Sequence, residues 1–336
     1  MHQWVVNGQP AGRIANCPAV MDDPERKTQP NRWEDVPRKA YDPDERLEAL
    51  DSDGVDAEVL FFNDPGRGQF FQFGYDPEFE LACIQAHNDA LAEWREVSDR
   101  FVPLALIPYL SPIDTIVAEL QRATNKGHRG ITLLAEPSTT VKGVSHHFND
   151  PYWYPLWDAC QNLGVPIHIH ESGGLGGRLG LPRWDGYSPN QFHSFLTVPT
   201  AAIVAQVIPS IIFSGILDRF PGLKIVCAET GIGWVNYVRE GCDYEWERRH
   251  LWTEGVPTRP SELLRQHVYV DFWYERANIP LRHEIGIDNI MWQSDYPHTT
   301  STYPDSWQYV ERTVGGLPDD DRRKMLYENA MRVYQL

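Results

Sequence analysis

Three short stretches of this 336-residue chain hold the residue types that bind metals and move protons. In His168-Ile169-His170-Glu171, which ends an apolar run, strand alternation puts both histidines on one face. Neutral imidazole suits a divalent metal or a polar substrate, and a hydrogen-bonded core histidine is the plainer reading of either ring. In Cys227-Ala228-Glu229-Thr230-Gly231 a glutamate follows an apolar strand, where it serves as a base, as the partner of a metal ligand, or as a helix cap. In Gln293-Ser294-Asp295-Tyr296-Pro297-His298, Asp295 directly follows a buried strand, and an ionised carboxylate there needs a cation or dense hydrogen bonding. A metal supplies that charge, and the aspartate in turn orients the water that the metal activates. His170 and Asp295, on separate strand ends, point to one shared metal. Asp295 and Glu229 are the groups placed to handle protons.

The segment after His170 reads as the substrate loop. Its glycine cluster (Gly173, Gly174, Gly176, Gly177, Gly180) carries no Gly-Lys-Ser/Thr and is no phosphate cradle. Arg178, Trp184, Tyr187, Phe192 and His193 follow within it, and with His168 and His298 they form the expected substrate wall. The planar guanidinium of Arg178 matches a carboxylate, the alternative being a solvated loop arginine.

Seven short apolar runs must position these groups: residues 54–62, 102–109, 130–135, 165–170, 224–229, 268–273 and 289–294. Most are continuously apolar, as strands buried on both faces of a parallel sheet are. Helix-like segments lie between them at 76–98, 112–126 (with Ser111 as its cap), 150–162, 233–249 and 275–284, with another at 304–313 after the last run. Asp-Pro pairs open several, and Gly164 closes one. The βαβα order specifies an α/β fold with a parallel sheet. An open doubly wound sheet that binds a nucleotide carries a glycine-rich turn after an early strand, and none is present. The pattern therefore fits a (β/α)8 TIM-barrel-like domain over residues 1–336, with seven strands visible and the first missing or replaced. Residues 1–45, with six prolines, read as irregular until a helix begins near Asp42-Pro43.

Composition narrows the partners. With 30 Lys+Arg against 47 Asp+Glu the net charge is −17, a field that repels nucleic acid and anionic membranes. No apolar run is long enough to span a bilayer and residues 1–12 carry no secretory pattern, so the expected setting is the cytoplasm. The 5 cysteines, widely spaced and without a CxxC pair, read as reduced and mostly buried thiols.

Together SDYPH after the last run, VPIHIHESG at the fifth strand of a barrel count, FSGILDRFPGLKIVCAETGIGWVNY around the sixth and the closing NAMRVYQL resemble the amidohydrolase superfamily. The branch is the one that includes aminocarboxymuconate-semialdehyde decarboxylase and γ-resorcylate decarboxylase, and the resemblance covers roughly residues 45–336. It implies a barrel holding one divalent metal, zinc ahead of manganese, with no nucleotide or redox cofactor. His170 matches the fifth-strand metal histidine and Asp295 the eighth-strand metal aspartate. Two departures stand out: the first-strand ligand pair has no counterpart here, and Glu229 stands where the branch's decarboxylases have histidine. The implied function is non-oxidative decarboxylation of a small aromatic or ring carboxylate. Hydrolysis of a small lactone, amide or ester in the same site is the alternative, and a metal-poor, inactive barrel is the third. The branch also implies a homodimer, for which the segment from Trp234 to Trp252 offers a surface.

Overall fold

A computed structural model describes residues 2–6, 8–13, 30, 32–61, 76–134, 144–170, 186–188, 191, 194–195, 197–198 and 200–336. All seven apolar runs contain strands, each shorter than its run. After a hairpin of β1 (Gln3–Val6) and β2 (Gln9–Arg13) come β3 (Glu58–Leu60), β4 (Phe101–Pro103), β5 (Ile131–Leu133), β6 (Ile167–His170), β7 (Ile225–Ala228), β8 (Val268–Phe272) and β9 (Ile290–Trp292). Strands β5 to β9 form one parallel sheet in chain order, and β3 pairs with β4 in parallel. A bridge from Ala105 to Ile131 carries the order from β4 into β5. The result is the strand sequence of a β/α barrel. Among the described residues no strand joins β9 to β3, and the barrel is open at that seam.

Alternation explains why these strands read as continuously apolar. Ile225, Cys227, Val268, Val270, Phe272 and Ile290 face outward into the main core beneath the helices. Val102, Val226, Tyr269 and Met291 face inward and pack with Val333 and Tyr334 from the C-terminal helix Asn329–Tyr334. That helix packs Val333 and Tyr334 against the inward side chains and is tied to β9 by Asn329, whose Nδ2 donates to the carbonyls of Ile287 and Ile290 at 2.8 and 2.7 Å.

Local chemistry sets the helix ends. Asp42 caps Pro43–Asp53 by accepting from the Asp44 and Glu45 amides, and Gly54 closes that helix at φ 72°. Asp76 caps Pro77–Val97 in the same way. Gly164 ends Tyr154–Leu163 at φ 68°.

Several expectations need correction. Residues 1–45 are not irregular throughout, because the β1–β2 hairpin turns at Gly8 with φ 76°. Ser111 does not cap the next helix; Pro112 holds the cap position of Ile113–Asn125 and offers no side-chain acceptor. The helix expected over 275–284 is a 3-10 turn at Ile279–Leu281 followed by Arg282–Ile285. Helices Thr200–Phe213 and Pro260–His267 add to the pattern. Among the described cysteines, Cys83, Cys160, Cys227 and Cys242 are free thiols, the last three buried.

Candidate metal centre

The inward positions of the strands form two levels. In the lower, register places His168 beside Val226 and Val226 beside Tyr269. His168 is fully buried, its Nδ1 faces the Ile131 carbonyl at 3.0 Å, and its Nε2 meets the Tyr334 hydroxyl at 2.9 Å. Burial pushes its pKa down to about 3, with His170 adding to the effect. Both ring nitrogens are engaged, so His168 is a structural histidine. His168 was expected to contact substrate; both its ring nitrogens are held within the protein.

One pleat higher stand His170 and Asp271, and above them the strand ends supply Glu229 and Asp295. His170 Nε2 lies 3.0 Å from Glu229 Oε1, and His298 Nδ1 lies 2.9 Å from Asp295 Oδ1 and 3.9 Å from Glu229 Oε1. Thr300 donates to Asp295 Oδ2 at 2.5 Å. One ligand atom each from Glu229, Asp295 and His298 falls within 4.8 Å of the others. The backbone is bent to achieve this: Glu229 and Asp295 both lie in the left-handed region, at φ 57° and 63°. For a non-glycine residue that costs on the order of 1–3 kcal/mol, which the surrounding packing must hold in place.

Charge is in surplus here. Burial, reinforced by the Glu229 carboxylate, pushes Asp295 up to about 6 against the pull of His298 and Thr300. Asp271, which the sequence reading missed, is driven well above the ordinary carboxylate range by burial and by Glu229, Glu275 and Asp295. Its Oδ1 has no hydrogen-bond partner among the described residues. An orphaned buried carboxylate oxygen beside a carboxylate–imidazole cluster fits a divalent cation, whose charge offsets what the protein leaves uncompensated. The signal for Asp271 lay in VYVDFW, where one acid interrupts a buried strand at an inward position.

These groups line a cavity of about 690 Å³ that reaches the open seam, with Arg46, Phe61 and Tyr296 on its walls. Arg46 is neutralised by Glu58 at 2.7 Å and covers the Tyr296 ring at 4.3 Å. Arg178, Trp184 and His193, expected as substrate contacts, lie outside the described residues, as do Phe192 and the glycine cluster. His298, expected to touch substrate, stands within the carboxylate cluster itself.

The sequence profile of the amidohydrolase family matches residues 1–336. The chain belongs to the amidohydrolase family. It is 25% identical over 333 residues to γ-resorcylate decarboxylase of Rhizobium radiobacter, covering 90% of each chain. In structure it is similar to an amidohydrolase from Mycobacterium avium subsp. paratuberculosis, with a TM-score of 0.78, 21% identity and coverage of 99% of this chain and 89% of that one. It is also similar to a dihydroxybenzoic acid decarboxylase from Polaromonas solved with manganese and the inhibitor 2-nitroresorcinol, with a TM-score of 0.63, 20% identity and coverage of 87% and 86%. The amidohydrolase fold accounts for the parallel β/α order, in which chemistry belongs at the C-terminal strand ends.

Proposed function

We propose that this amidohydrolase removes CO2, without a redox cofactor, from a small aromatic carboxylate bearing a ring hydroxyl, of which γ-resorcylate is the type. The observation that carries the reading is the meeting of Glu229, Asp295 and His298 above buried Asp271, one of whose oxygens has no partner among the described residues. The relatives' activity supports the direction. We assign His170, Glu229, Asp295 and His298 as the residues that would hold one divalent ion. Two imidazoles and two carboxylates suit zinc or manganese. Such an ion, when bound, draws electron density from the substrate's oxygens and fixes the acid in place.

The protein's own residues do the rest. Asp295 and His298 hold a proton between Oδ1 and Nδ1, 2.9 Å apart. They pass it to the ring carbon that carries the carboxylate. The bond from that carbon to the carboxylate then breaks, its electron pair restores the aromatic ring, and CO2 leaves. His170 Nε2 and Glu229 Oε1, 3.0 Å apart, face one another as two groups that would share the ion.

Glu229 also favours a second reading, hydrolysis, because a carboxylate in that place serves as a base toward water. The test is to reconstitute the protein with manganese or zinc, supply γ-resorcylate, and follow CO2 and resorcinol. Stoichiometric CO2 supports decarboxylation. Turnover of lactones or esters to free acid without CO2 overturns it in favour of hydrolysis.

We place the protein in the cytoplasm; no helix among the described residues is long and apolar enough to cross a membrane. A homodimer through Val235–Arg249 is supported by Tyr237 and Tyr244, which that helix exposes. Its neighbour Trp234 is instead buried in the core.

A further inference from the structure

Gln293 follows β9 directly and lines the same cavity as Glu229, Asp271 and Asp295. Its amide has one fixed orientation. Oε1 accepts the backbone N–H of Glu229 at 3.3 Å, and turned over the amide would set two donors against each other. Nε2, with its two N–H groups, therefore faces away from Glu229. It is shielded from solvent and has no hydrogen-bond partner among the described residues. Propping the bent backbone at Glu229 accounts for the oxygen of this side chain and leaves its nitrogen unexplained. A donor in the wall of a site otherwise built from carboxylates is suited to an anionic oxygen that the carboxylates themselves would repel.

We infer that Gln293 is a substrate-binding residue whose Nε2 donates to an anionic oxygen of the ring acid. It thereby selects acids that place such an oxygen beside the carboxylate cluster. This rests on the decarboxylase reading. Gln293 is not itself one of the ion's assigned ligands, although its oxygen holds the backbone of Glu229, so a variant that keeps that acceptor is expected to change ligand affinity with the metal still bound.

Two variants separate the amide's two ends. Gln293→Glu keeps an oxygen to accept from the Glu229 amide and replaces the donor with a second acceptor, whereas Gln293→Met removes both. Manganese-loaded wild type and variants are titrated with 2-nitroresorcinol, whose nitro group stands in for the carboxylate, and assayed for KM with γ-resorcylate. Manganese stoichiometry and affinity are measured alongside. A hydrogen bond to a charged group predicts a loss of about 10- to 100-fold in 2-nitroresorcinol affinity for both variants. KM rises in parallel and one equivalent of manganese remains bound. Wild-type affinity in Gln293→Glu assigns the side chain to the Glu229 amide alone and overturns the inference, as does loss of manganese from both variants. If wild type binds manganese but neither probe, the decarboxylase reading falls and this assignment with it. If wild type binds both probes and the variants match it, only this assignment falls.

Discussion

His168 and His170 lie two residues apart on one strand and face the same interior, yet their surroundings differ in kind. Both ring nitrogens of His168 have partners: the Ile131 carbonyl takes one and the Tyr334 hydroxyl the other. The Tyr334 ring stacks on the imidazole at 5.5 Å, nearly parallel, and Phe61 meets it edge-on. Around His170 stand Glu229, Asp271, Asp295 and His298, with left-handed backbone at two of the carboxylates and unpartnered atoms on Asp271 and Gln293. At the lower level the protein itself satisfies the His168 ring. The upper level is left unsolved by the protein alone, as a site that awaits a cation and an anion would be.

The comparison breaks first at Asp295. Asp295→Asn should lower decarboxylation by roughly 10²–10⁴-fold, the scale of losing a positioned proton-transfer group, with no loss of thermal stability. Activity assays beside a melting curve check both halves. At the lower level the signs reverse: Tyr334→Phe orphans a buried imidazole nitrogen and should cost about 1–3 kcal/mol in urea unfolding, with manganese affinity unchanged. A manganese-affinity loss in that variant would mean that the two levels are not separate.

Acid provides a finer probe of the lower level. His168 is held neutral in the folded protein because its pKa, ordinarily 6.5, is pushed down to about 3. Its contribution to stability is therefore complete above 6.5 and is lost progressively as the pH falls from 6.5 toward 3. His168→Gln should flatten that part of the stability profile. The smallest effect is expected at Asp271, where Asp271→Asn relieves repulsion among buried acids and should stabilise the metal-free protein by about 1 kcal/mol. The same change should weaken manganese binding, a trade of stability against function seen in a pair of melts with and without metal.

How far the sequence foretold these levels depends on the reach of each contact. Strand placement was legible because a strand buried on both faces leaves a continuous apolar run, and Asp42, Asp76 and Gly164 announced their helix ends within a few residues. Glu229 and Asp295 were legible because a carboxylate leaving a buried strand needs compensation. The partner that holds His168, Tyr334, was not legible because it is 166 residues away in the C-terminal helix. Asp271 and Gln293 carried the same inward alternation as the residues that were recognised, but Asp271 sat in no motif and Gln293 stood beside Asp295, whose charge drew the reading.

The central claim is that the upper level holds one divalent ion through the strand-end carboxylates. Titrating manganese into metal-free wild type and Asp295→Asn, with bound metal counted after dialysis, tests it most directly. One equivalent retained by wild type and lost from Asp295→Asn is the predicted result. Equal retention by both proteins would contradict the assignment, and no retention by either would leave the fold a metal-poor barrel.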